Sequence, residues 1–420
     1  MNCFHYKNKK LYCEGVSLEE IAREIGTPFY VYSYGMLKEA FRSFASSFAG
    51  IDHMICFAVK SCPNIAILKL FGEEGGGADI VSGGELYRVL QAGIDPRKVV
   101  YSGVGKRADE IEFALETAIL MFNVESCEEL DMINACGKRL GKKAGIALRI
   151  NPDIDPQTHR HITTGLKESK FGISINQGIE AYRYARTLDH LDVIGMSCHI
   201  GSQIRSVAPF VDTVKRLKNL LAQLQVEGFA IPYLDLGGGL GITYRDDEAA
   251  SSISKYADAV RALVEGLPYT IIFEPGRSLS GNAGALVSRV LYRKETEEKK
   301  FILIDAGMND LIRPTLYDAY HRIIPVSENG GGKILADIAG PVCETGDCFA
   351  HGREIEEVTQ NDLLAIMSAG AYGFSMASHY NSRPKIPEIL VYNDRFYTIR
   401  QRETYADLIC GEEIVNLNTE

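Results

Sequence analysis

The chain has 420 residues, 46% of them hydrophobic and 24% charged, with a formal net charge of -10. That is the composition of a globular protein long enough for two domains, or for one large barrel and a smaller domain. The acidic balance excludes nucleic acid and anionic membrane as natural partners, and no apolar run approaches the ~18 residues that span a bilayer.

The first ten residues, MNCFHYKNKK, contain no apolar core of a secretory signal. The ten cysteines (3, 13, 56, 62, 127, 136, 198, 343, 348 and 410) form no CxxC pair and no Cys/His ligand spacing. Free thiols in a reducing cytoplasm are the expectation, with no disulfide framework and no zinc site.

Residues 1 to about 32 read as short strands around a small helix, SLEEIAREI. Ser17 with Glu20 three residues on predicts a capping box, and Gly26 stops the helix. FYVYS (29–33) follows as a strand. From Tyr34 a regular alternation begins. Apolar strands end near Lys60 (CFAVK), Asp79 (GADIV), Ser102 (VVYSG), Glu125 (LMFNVE), Asn151 (IALRIN), His199 (VIGMSCHI), Gly237 (YLDLGGG) and Glu274 (TIIFEP). Helical segments such as GELYRVLQAG and ADEIEFALETA lie between them. Helices that follow strands make the strands parallel, and eight such units predict a β/α (TIM) barrel. A doubly wound open sheet is the structural alternative, but no GxGxxG follows the first strand.

One interval breaks the rhythm. The polar stretch between Asn151 and Ile175, with two prolines and two histidines, follows a strand's C-terminal end and reads as a lid. After about Gly281 strand-like runs dominate, among them ALVSRVLYRKE, KFILIDAG, KILADIAG, DLLAIMSAG and EILVYNDRFYTIRQ. The expected layout is therefore a barrel over 33–280 and a mostly antiparallel β domain over 281–420, to which residues 1–32 add strands.

Active-site residues of such a barrel come from the C-terminal ends of its strands. Those ends carry Lys60, Asp79, His199, GGGLG (237–241) and EPGR (274–277). Each has a bland alternative. Lys60 can be a surface lysine, Asp79 a turn residue and His199 a satisfied core histidine. GGGLG and EPGR can be plain turns. A lysine at the end of an apolar strand must be paired or deprotonated, and a desolvated lysine with a lowered pKa suits covalent carbonyl chemistry. Consecutive glycines let a backbone approach a phosphate. A carboxylate facing a pyridine nitrogen keeps it protonated, and an imidazole can stack on the ring. On one face, these groups suit pyridoxal 5'-phosphate (PLP). Metal chemistry does not fit, since no HxxxH or EF-hand pattern is present.

The motifs resemble those of the diaminopimelate decarboxylases, within the barrel-type PLP decarboxylases that include the ornithine and arginine enzymes. The resemblance rests on FAVKSCPN (57–64), GADIVSGGEL (77–86), YSGVGK (101–106), HIGSQ (199–203), GGGLG, EPGR, RPTLY (313–317), CETGD (343–347) and GAYGFSMASHYNSRP (370–384). It implies Lys60 as the residue that carries PLP covalently. Around the cofactor it implies Asp79, His199 against the ring and Ser202 near the phosphate. Gly237, Gly238, Gly239, Gly276, Arg277 and Tyr372 also bind it, and Glu274 faces the pyridine nitrogen. For substrate it implies Arg277, Arg313, Tyr317, Glu344 and Tyr372. Cys343 is implied as a catalytic thiol, with Lys60 and His199. In this family Cys343 and Glu344 reach the partner subunit's site, so the resemblance implies a homodimer.

Departures are mild: Phe57 and Ser61-Cys62 stand in the family's usual YAVKAN, and Thr345 stands in CESGD. The implied reaction turns meso-2,6-diaminopimelate into L-lysine and CO2. Alternatives are a decarboxylase of ornithine, arginine or a related amino acid, a non-catalytic PLP carrier, and a racemase-like protein. The ornithine enzymes carry Asp where this chain has Glu344. A carrier has little use for Cys343, and a racemase has little use for CETGD.

Overall fold

The computed structural model describes residues 3–415 and 417, except 156–163, 166–168, 246 and 249–251. The chain divides into two compact units, one of residues 37–282 and one joining residues 1–36 to 283–420.

In the first unit eight parallel strands pair in chain order: His53–Ala58, Gly77–Ile80, Val99–Tyr101, Met121–Val124, Ala144–Asn151, Leu191–Ser197, Tyr233–Asp235 and Thr270–Phe273. The eighth pairs back onto the first, with Ile271 opposite His53 and Phe273 opposite Ile55, which closes the barrel. Each strand ends within about two residues of its expected end. Cys56, Val100, Met121, Ala147 and Ile272 are buried together in the core. The following helices begin where short polar side chains accept orphan N–H groups. Asn64 Oδ1 accepts from Ala66 N (3.0 Å), Ser82 Oγ from Glu85 N (3.2 Å) and Ser126 Oγ from Glu129 N (3.2 Å).

The polar interval after the fifth strand returns at Ile173–Ser174, a two-residue strand parallel to Ile150–Asn151. Most of the expected lid, residues 156–163 and 166–168, lies outside the described residues.

The second unit is built on a mostly antiparallel sheet. Phe29–Ser33 is an interior strand, antiparallel to Gly284–Glu295 and parallel to Glu388–Tyr392. All five of its residues are buried. The long strand Gly284–Glu295 also pairs antiparallel with Lys300–Ile304 and with Leu363–Ile366. Lys333–Ala339 and Cys348–Glu356 extend the sheet; the sequence reading left Cys348–Glu356 (CFAHGREIE) out because its polar residues break the apolar run. The small helix Leu18–Ile25 is capped by Ser17, whose Oγ accepts from Glu19 N at 3.3 Å. This differs from the expected box with Glu20: the cap closes on the second helical residue instead of the third. No cysteine pairs with another; all ten are free thiols.

Candidate active site

The barrel brings the expected polar residues to the C-terminal ends of its strands. Lys60 lies in a single 3-10 turn, Val59–Ser61, directly after the first strand. Its Nζ sits 2.7 Å from Oδ2 of Asp79, on the neighbouring second strand. Of the two ways to keep a lysine there, this one is pairing. Asp79 is fully buried, and its Oδ1 has no hydrogen-bond partner among the described residues.

Glu274 follows the eighth strand and is buried. Its Oε1 accepts from Ser102 Oγ (3.2 Å) and from Asn123 Nδ2 (3.2 Å). Asn123 Nδ2 also donates to Oδ2 of Asp235 at 2.9 Å, and Asp235 Oδ1 accepts from Gly237 N at 2.9 Å. Two carboxyls thus share one amide in a dry place. Burial, with the neighbouring charges of Asp235 and Asp79, pushes the Glu274 carboxyl well above its ordinary range. Burial likewise raises Asp235 to about 6.

His199 follows the sixth strand. Gly238 N donates to its Nδ1 at 3.1 Å, so Nδ1 carries no proton. Burial and then the positive charges of Arg149 and Lys60 hold its pKa well below the ordinary value, so the ring is neutral. The glycine run is closely packed. A Cβ on Gly238 would lie 2.1 Å from the carbonyl oxygen of Glu274, and one on Gly239 would lie 2.5 Å from that of Gly201. The N–H groups of Gly237 and Gly238 serve Asp235 and His199, so these two glycines set the loop's shape with their own amides.

Arg277 opens a short helix after Gly276 and is buried. Its Nε and Nη2 donate to Ser202 Oγ (3.4 and 3.3 Å) and its Nη1 to the hydroxyl of Tyr244 (2.6 Å). Behind this face runs a buried ionic chain. Arg149 pairs with Glu125 at 2.7 Å, Glu125 Oε2 accepts from Gly172 N at 2.7 Å, and Lys106 pairs with Glu129 at 2.6 Å.

The remaining expected residues lie in the other unit. Arg313 opens the helix Arg313–Tyr317 and is buried; Tyr317 is half-buried. Thr315 Oγ1 donates to the carbonyl of Gly346 at 2.8 Å, which ties this helix to the CETGD turn. There Asp347 anchors the turn through the N–H groups of Met308 and Val342, both at 2.6 Å. Cys343 is exposed and its N–H donates to Asn381 Oδ1 at 2.8 Å. Glu344 Oε2 accepts from the hydroxyl of Tyr380 at 2.7 Å. Tyr372 is half-buried, at a left-handed φ of 55°.

Asn123, Asp235, Tyr244 and Arg149 were missed from sequence. Asn123 (MFNV) and Arg149 (ALRIN) did carry a signal, since each is a polar residue inside an otherwise apolar strand.

A family model described as "Pyridoxal-dependent decarboxylase, pyridoxal binding domain" matches residues 34–281, which span the barrel. That defines the class: a barrel-type pyridoxal-dependent decarboxylase. The chain is 50% identical to a diaminopimelate decarboxylase of Aquifex aeolicus over 404 residues, 96% of each chain. A crystal structure of diaminopimelate decarboxylase from Helicobacter pylori complexed with L-lysine superposes with a TM-score of 0.90 at 41% identity, covering 93% of this chain and 98% of that one. The M. jannaschii enzyme in co-complex with L-lysine gives 0.93 at 38% identity, covering 99% and 98%. This chain belongs to the diaminopimelate decarboxylase family.

The barrel residues fit the cofactor that the family's name implies. Asp79 Oδ1 is buried without a partner among the described residues. Glu274 is a buried carboxyl whose charge is opposed by burial, Asp235 and Asp79 more than Lys60 favours it, and a protonated ring nitrogen would add a second cation to face it.

Proposed function

We propose that the protein decarboxylates meso-2,6-diaminopimelate to L-lysine and CO2, with PLP held on Lys60. The observation that carries this reading is the convergence of Lys60, Asp79, His199 and Glu274 on one end of the barrel, in a chain of this family. Bound PLP supplies an electron sink for the pair left when CO2 departs.

The chain's own residues do the rest. Lys60 Nζ would hold the cofactor covalently; in the free protein it is an ammonium paired with Asp79, and Asp79 would offset positive charge on the same nitrogen once the cofactor is attached. Glu274 keeps a proton on the pyridine nitrogen, with Ser102 and Asn123 fixing the carboxyl that does so. His199, neutral and fixed by Gly238, offers a ring face without adding positive charge. Ser202, Gly237, Gly238, Gly239, Gly276, Arg277 and Tyr372 serve the phosphate end, Gly237 and Gly238 by shaping the loop and not through N–H groups that already serve Asp235 and His199.

The substrate carries an amino-acid group at each end. Its far carboxylate suits a guanidinium and its far ammonium a carboxylate. Arg277, Arg313, Tyr317, Glu344 and Tyr372 supply that complement. After CO2 leaves, the α-carbon needs a proton, and either Cys343 Sγ or Lys60 Nζ, the latter set free when the substrate's amine takes its place on the cofactor, would deliver it. We assign Cys343 and Glu344 to the neighbouring subunit's substrate in a homodimer. The free thiols suit a reducing cytoplasm, and no helix among the described residues is long and apolar enough to cross a membrane.

The test is product identification. The holoenzyme is incubated separately with meso-diaminopimelate, ornithine and arginine. Lysine from the first alone is the expected result; putrescine or agmatine as the main product overturns the reading.

A further inference from the structure

His321 had no role in the reading of the sequence. It is fully buried, four residues beyond the helix that Arg313 opens. Arg313 Nη1 lies 2.8 Å from His321 Nε2. A guanidinium nitrogen can only donate, so Nε2 accepts. On the other side of the ring, Nδ1 lies 2.8 Å from the carbonyl oxygen of Met367. A carbonyl can only accept, so Nδ1 carries the proton. Together the two contacts admit one state of the ring, the neutral Nδ1–H tautomer. A second proton would set two N–H donors against each other at Arg313.

The surrounding backbone fixes the ring. Ile323–Pro325 pairs antiparallel with Leu363–Ile366, and Met367 N donates to the carbonyl of Arg322 at 2.8 Å. The bond from His321 Nδ1 to Met367 O continues that ladder through a side chain. Arg353 Nη1 holds the carbonyl of His321 from a third direction, at 2.8 Å.

A carboxylate is recognised by two parallel N–H bonds from a guanidinium, which demand a fixed plane. An arginine already held in that plane loses less freedom on binding than a mobile one. We propose that His321 is a positioning residue: a permanently neutral acceptor that orients the Arg313 guanidinium for the substrate's carboxylate. This rests on the assignment of Arg313 to substrate.

The test uses holoenzyme with His321→Leu, His321→Gln and Arg313→Ala. His321→Leu removes the acceptor; His321→Gln restores one with its amide oxygen. The leucine variant is expected to raise KM for meso-diaminopimelate by about tenfold to a hundredfold, the scale of a lost charged hydrogen bond. Its kcat stays within about threefold, because the lost contact serves binding. L-Lysine binding by calorimetry weakens in step. Binding of 1,5-diaminopentane, which has no carboxylate, and the absorbance of bound PLP do not change. The glutamine variant recovers most of the loss. Wild-type KM and lysine affinity in His321→Leu, beside an impaired Arg313→Ala, overturn the proposal. So does a glutamine variant as impaired as the leucine one. An unimpaired Arg313→Ala sinks the assignment of Arg313 instead. Should the leucine variant not fold, nitrogen-15 NMR of histidine-labelled wild-type holoenzyme decides, with His321→Gln giving the assignment. An Nδ1–H ring that does not titrate between about pH 6 and pH 8 is expected; an Nε2–H ring, or one that titrates, overturns the proposal.

Discussion

Asp235 and Glu274 are two buried carboxyls held by one amide, and each one's charge disfavours the other's more than Lys60 relieves it. In cofactor-free protein their charges oppose folding. Burial raises Asp235 from its ordinary value to about 6. The native state therefore keeps its proton where the unfolded chain has already lost one. The stability this adds is present below the unfolded pKa near about 4 and is lost as pH rises through about 6. Asp235→Asn removes that loss. Its amide oxygen can still accept from Gly237 N, and its amide nitrogen can meet Asn123 Oδ1, which is buried without a partner among the described residues. Melting curves of the apoprotein should show the variant gaining on wild type as pH rises from 4 toward 8, by about 1–3 kcal/mol at the upper end. A difference that does not change with pH would sink this account of the pair.

At the scale of elements, loops are held by backbone fit and by buried ion pairs. Gly238 lies under the Glu274 carbonyl, where a Cβ would come to 2.1 Å. Both sides of that contact are backbone, so neither can turn aside. Gly238→Ala should cost about 2–4 kcal/mol in denaturant unfolding and release PLP more readily on dialysis. Normal stability and normal PLP content would show the two loops free to separate. The Arg149–Glu125 pair joins the ends of the fourth and fifth barrel strands, both side chains being buried. Arg149→Met leaves a carboxylate buried without its cation and should cost about 3–5 kcal/mol, whereas Arg149→Met with Glu125→Leu should recover much of it. A double variant no better than the single would mean that the Gly172 N–H bond, not the ion pair, carries the effect.

Along the chain, the barrel residues 37–282 stand between the two segments that make up the second unit. Residues 1–36 join 283–420 through Phe29–Ser33, an interior strand of the second sheet. The proposed homodimer can be tested at this scale. If Cys343 is the proton donor, Lys60→Ala and Cys343→Ala are each nearly inactive alone; the two are mixed and allowed to exchange subunits. If each site takes Lys60 from one chain and Cys343 from the other, half the mixed dimers' sites are intact. Activity should return to about a quarter of wild type. No recovery, with exchange verified by mass, would place both residues' roles within one chain.

Much of this was legible in the chain. Barrel strands are apolar runs, and their register with the intervening helices repeats, so eight strand ends could be read to within a residue or two. Glycines and prolines at those ends marked GGGLG and EPGR as turns that chemistry could use. The β unit was legible as strands but not as a sheet, because a strand's neighbours there lie hundreds of residues away and nothing local names them. The polar partners were hidden because sequence does not say which side chains meet. Asp79 meets Lys60, and Asn123 joins Asp235 to Glu274, because barrel strands stand side by side; His321 meets Arg313 because the chain doubles back after the helix Arg313–Tyr317. Residue types and local pattern are properties of a stretch of chain; hydrogen-bond direction, tautomer and a shared proton depend on atoms that only folding brings within 3 Å of each other.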